Sequence, residues 1–129
     1  MTTVKLAVVG AHLEGMPLHH QLTSRNASFV AATQTATSYR LYAIANSTPP
    51  KPALVFDETG TSIAVEVYEL GVEAFGSFTA EVPPPLAIGT VTLADGSQVK
   101  GFVAEPRALI GARDITEFGG WRNYIQSLK

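Results

Sequence analysis

A chain of 129 residues fits one domain spanning 1–129 and is long enough to bury a core without cross-links. It contains no cysteine, which excludes disulfides and thiolate metal sites and suits a reducing, cytoplasmic setting. Nine scattered basic residues against eleven acidic ones leave a net charge of −2, which argues against a nucleic-acid partner, and no apolar run approaches the ~20 residues of a membrane span.

The first strand reads as Lys5–Gly10, an apolar run that stops at a glycine. Gly10-Ala11-His12-Leu13-Glu14-Gly15 follows, and Pro17 opens a short helix through His19, His20, Gln21 and Leu22. Ser28–Thr33 and Tyr39–Ala45 read as strands. Thr48-Pro49-Pro50-Lys51-Pro52 lacks the donors of an interior strand, so it is expected as a stiff surface connection before the strand Ala53–Phe56. Ile63–Leu70 alternates with period two, with Ile63, Val65 and Val67 on one face and Ala64, Glu66 and Tyr68 on the other. After Gly71 a helical stripe of Val72, Phe75, Phe78 and Val82 runs to the stop at Pro83-Pro84-Pro85. Ile88–Leu93 and Lys100–Ala104 flank the hairpin signal Asp95-Gly96. Pro106–Leu109 starts a short helix, and Trp121–Leu128 forms a C-terminal one after Phe118-Gly119-Gly120. The order predicts an α+β domain: a small, mixed, mostly antiparallel β-barrel with flanking helices.

Chemistry concentrates at the first loop. A strand ending in Gly-x-His-x-x-Gly leaves bare amides and an imidazole together at the end of a sheet, an arrangement suited to a small anion. His12 is the first catalytic candidate, as a neutral donor or general base; the plain alternative is a loop histidine bonded to a carbonyl. Glu66 is the second: inside a barrel its carboxyl would be desolvated and its pKa raised, whereas on a wet face it is an ordinary glutamate. Arg40, sharing a strand face with Tyr42, either clamps a substrate carboxylate or pairs with Glu66. Lys51 at the proline-rich loop either holds an anion or keeps the loop soluble. Trp121 either anchors its helix in the core or serves as a lid or interface anchor. No ligand set for a metal is evident, and no cofactor is expected.

Several blocks resemble the C-terminal domain of allophanate hydrolases: Val9-Gly10-Ala11-His12-Leu13-Glu14-Gly15-Met16-Pro17-Leu18, Tyr39-Arg40-Leu41-Tyr42-Ala43, Pro49-Pro50-Lys51-Pro52-Ala53-Leu54, Val65-Glu66-Val67-Tyr68 and Asp114-Ile115-Thr116-Glu117-Phe118-Gly119-Gly120-Trp121-Arg122. The resemblance implies a γ-glutamyl-cyclotransferase-like fold. It also implies a role in decarboxylating N-carboxycarbamate during urea or allophanate breakdown, with substrate carboxylate held by the backbone of Gly10, Ala11, His12 and Leu13. Gly15, Arg40, Tyr42 and Lys51 complete the expected binding set. Glu81, ahead of the prolines, is the nearest counterpart of the catalytic glutamate of cyclotransferases. The Ser-Ser-Lys centre of the amidase half is absent, so this chain is not expected to release ammonia from allophanate. With only 16% charged residues against the ~25% of typical soluble domains, an amidase partner or a second copy is expected to cover part of its surface.

Overall fold

The computed structural model describes residues 2–129 and contains two open sheets with three short helices. The larger sheet has five strands in the order β2 (Ser28–Gln34), β5 (Ala64–Gly71), β1 (Thr3–Val8), β7 (Gln98–Ala104), β6 (Leu86–Thr92). Only β1 and β7 run parallel; the other pairs are antiparallel. The central place of β1 explains its apolar character, with Leu6 and Val8 inaccessible to solvent. The smaller sheet places β3 (Tyr39–Ala43) between β4 (Pro52–Phe56) and the two-residue β8 (Arg113–Asp114).

The barrel expectation is corrected. The five-stranded sheet curls until its two edges meet at one corner, where Thr35 bridges Leu93. Ala36 N–H donates to the Thr92 carbonyl and Ala94 N–H to that of Gln34, both at 2.9 Å. Beyond that corner β2 and β6 do not pair. A register shift between Phe29 and Ala31 disrupts β2, and such bulges bend a strand and raise its twist. The chain leaves the corner to build the second sheet instead.

Local readings differ in smaller ways. Pro52 is the first residue of β4 rather than part of the connection, which proline tolerates because β4 is an edge. Residues 11–19 form successive turns, and the first helix α1 is only His20–Thr23. Helix α2 (Val72–Ala80) buries Phe78, but Val72 at its start faces solvent. Trp121 opens α3 (Trp121–Ser127) and is buried in the core, as its packing role requires.

Candidate functional site

The loop after β1 is held close to the smaller sheet. A Cβ placed on Gly10 would lie 2.1 Å from Pro52 Cδ, so only glycine allows this approach. Leu13 N–H closes a turn on the Gly10 carbonyl at 3.0 Å, and Leu18 N–H another on that of Ala11 at 2.8 Å. His19 Nδ1 lies 2.8 Å from the His12 carbonyl. The amides of Gly10, Ala11 and His12 donate to no main-chain carbonyl among the described residues, although all three residues are buried. Leu13 is a correction: its amide is occupied within the turn, and its side chain faces a different hollow. Gly15 supplies a left-handed turn position, φ 83°, and lines neither hollow.

The His12 ring is buried between two aromatic side chains. Phe102 stacks on it and Phe78 meets it edge-on, each with centroids 5.0 Å away. Its Nε2 lies 2.8 Å from Gln21 Oε1. Burial pushes the imidazole below its ordinary 6.5; the Gln21 hydrogen bond acts in the opposite sense, and the Lys51 cation lowers it further. The ring is therefore neutral at pH 7.

His12 opens onto a cavity of about 200 Å³ whose walls include Gln21, Lys51, Glu81, Pro83 and Phe102. Three separate segments thus bring together His12, Lys51 and Glu81. A second cleft, between residues 44–48 and Pro83–Pro85, adjoins it through Lys51, Pro83 and Leu86. Lys51 takes part in no ion pair among the described residues. Glu81 does: its Oε2 lies 2.5 Å from Arg25 Nη2.

The other candidates lie elsewhere. Glu66 borders a separate hollow of about 210 Å³ with Leu13, Trp121 and Arg122. Its carboxylate accepts from Glu14 N–H (3.0 Å), Tyr68 O–H (3.0 Å) and Arg122 (2.6 Å). Desolvation raises its pKa, but these donors outweigh it and hold the carboxyl below its ordinary value, the reverse of the rise that a barrel interior would give. Glu66 so ties the first loop to β5 and α3. Arg40 is neither free to clamp a ligand nor paired with Glu66; it is bound to Asp114 (3.0 Å), Asp57 (3.5 Å) and the Thr59 carbonyl (3.0 Å). Tyr42, beside it on β3, lines neither hollow.

Gln21 and Arg25 were not anticipated as site residues. Arg25 donates to the Gln21 carbonyl, to Ser77 and to Glu81, with its guanidinium 5.8 Å from the Phe78 ring centroid. Their positions one helical turn apart were the only hint in the sequence.

The sequence profile of the allophanate hydrolase C-terminal domain matches residues 4–126. Urea amidolyase of Saccharomyces cerevisiae is 45% identical over 133 residues, spanning 99% of this chain and 7% of that protein. A Kluyveromyces lactis allophanate hydrolase structure superposes with a TM-score of 0.96 at 44% identity, over 100% of this chain and 22% of that one. A protein described as specific to uropathogenic E. coli superposes at 0.90 with 36% identity, over 98% of both chains. A γ-glutamyl cyclotransferase, 12% identical, superposes at 0.60 over 81% of this chain and 68% of that one, a likeness of fold alone. This chain thus spans about 7% of the length of its curated relatives.

Proposed function

Because the chain belongs to the allophanate hydrolase C-terminal domain family, we propose that the cavity between His12, Lys51 and Glu81 binds a small carboxylate or carbamate and assists loss of carbon dioxide from N-carboxycarbamate in urea and allophanate breakdown. The observation that carries this reading is that Lys51, in no ion pair among the described residues, shares a cavity wall with a buried neutral imidazole. Lys51 and the His12 amide hold one carboxylate, with Gly10 and Ala11 shaping the turn behind it. The other end of the ligand, a carbamic acid, faces His12. The imidazole takes the O–H proton and returns it to nitrogen as the C–N bond breaks; the carbon leaves as carbon dioxide and the ring is regenerated. The low-dielectric wall formed by Phe102 and Leu86 strengthens these contacts.

The test generates N-carboxycarbamate in place with an amidase acting on allophanate, and follows carbon dioxide release by stopped flow. The chain accelerates that release. His12→Phe, which preserves both ring contacts, does not. Equal release with and without the chain refutes the reading.

Glu81 on the wall of the same cavity favours a second reading, a γ-glutamyl-amine cyclotransferase with Glu81 as general acid and base. Release of 5-oxoproline from a panel of γ-glutamyl amines would establish it, and Arg25, bound to that carboxylate, stands against it. Relatives far longer than this chain favour a working context beside an amidase partner; a cytoplasmic setting and pairing with a second copy remain proposals from composition. Co-elution with a separately expressed amidase tests that context.

A further inference from the structure

The cavity carries a chemical bias set by a residue outside the expected site. His12 Nε2 lies 2.8 Å from Gln21 Oε1. A carbonyl oxygen only accepts, so Nε2 bears the proton and the neutral ring keeps its lone pair on Nδ1. Nδ1 has no hydrogen-bond partner among the described residues. Thr79 Oγ1 is the one sealed polar side-chain atom without a partner among them, so Nδ1 keeps some accessible surface, and His12 lines the cavity. The ring cannot readily turn over, because Phe78 and Phe102 grip it. Gln21 is braced in turn: Arg25 donates to its main-chain carbonyl at 2.9 Å, and Ser77 and Glu81 fix Arg25 from the other side.

We infer that Gln21 is a positioning residue: it fixes the His12 tautomer and so makes the cavity select a monoanion bearing an N–H or O–H donor over a dianion. The inference rests on the reading of this cavity as an anion site. Lys51 and the His12 amide match one negative group. A second bare carboxylate would meet the Nδ1 lone pair and Glu81, whose one ion-pair partner among the described residues, Arg25, already serves it. An amide N–H or an acid O–H meets that lone pair as a donor instead.

Two measurements on the whole chain test it. Long-range proton–nitrogen spectra of histidine-labelled protein show His12 as a single Nε2–H tautomer. Gln21→Leu shows both tautomers, and Gln21→Glu, which keeps an acceptor, restores one. Calorimetric titration shows malonamate binding about tenfold more tightly than malonate, the size of one hydrogen bond gained against one left unpaired. That preference disappears in Gln21→Leu. An unchanged tautomer in Gln21→Leu overturns the role of Gln21. Malonate binding as tightly as malonamate overturns the selectivity while the anion site stands. Binding of neither probe overturns both the selectivity and the anion site.

Discussion

Replacing Gly10 by alanine tests the geometry on which the site depends. The added Cβ would sit 2.1 Å from Cδ and 2.4 Å from Cγ of Pro52, where ordinary contact begins at 3.4 Å. The two segments must separate by more than 1 Å. Pro52 cannot give way by rotating a side chain, because its ring is closed and buried at the start of β4. Overpacking of this kind costs about 2–3 kcal/mol, a fall in Tm of roughly 10 °C for a chain of this size. The strain is specific to one pair, so a thermodynamic cycle isolates it. Pro52→Ala alone destabilises by about 1 kcal/mol through the freer unfolded chain. In the double variant Cγ and Cδ are gone, and about 1–2 kcal/mol of the Gly10→Ala penalty returns as coupling. Denaturant unfolding of the four proteins reads the cycle, and malonamate titration reads the displaced loop. Effects that add within about 0.5 kcal/mol would refute the steric account.

The exposed interior of α2 offers the opposite sign. Nothing lies within 4 Å of a Cβ on Gly76, so Gly76→Ala stabilises by about 0.5–1 kcal/mol in the same unfolding assay. The His12 pKa is depressed, so below pH 6.5 the unfolded chain binds a proton that the folded chain refuses; stability falls from pH 6.5 downward, and His12→Phe lacks this slope in thermal scans. Glu66 and Asp114 are depressed carboxyls, present as stabilising anions above their ordinary 4.5 and 3.8, and their contribution disappears only as pH falls through their lower folded values. Desolvation and the bond to the Glu66 carboxylate push Tyr68 up to about 12; an ultraviolet alkaline titration of Tyr68→Phe loses a phenolate step in that range.

Strand periodicity was the most legible part of the fold. Residues 63–67 alternate because one face packs on the core and the other carries Ala64 and Glu66, a contrast written locally, whereas Tyr68 and Leu70 on the Glu66 face are buried as well. Closure of the larger sheet was not legible, because it depends on whether Thr35 and Leu93, 58 positions apart, begin a ladder or end one. The first loop was recognisable from its glycines and histidine, but its surroundings were not. Phe78 and Phe102, which make His12 neutral, are contributed by a helix and a strand far along the chain. The same distance kept the two readings of Glu66 open. Burial alone argues for a raised pKa, and two of the three donors that reverse it, Glu14 and Arg122, lie 52 and 56 residues away. Arg40 shows the complementary failure: its type suits a clamp, yet Asp57 and Asp114 had already taken its guanidinium.

The strand nearest the beginning of this sequence lies in the middle of the larger sheet, flanked by segments about 60 and 95 residues further on. During synthesis, residues 3–8 must therefore wait as a sticky ribbon until residue 104 has cleared the ribosome. A stall in that interval leaves an edge of this central strand, with Leu6 and Val8, uncovered and open to wrong pairing.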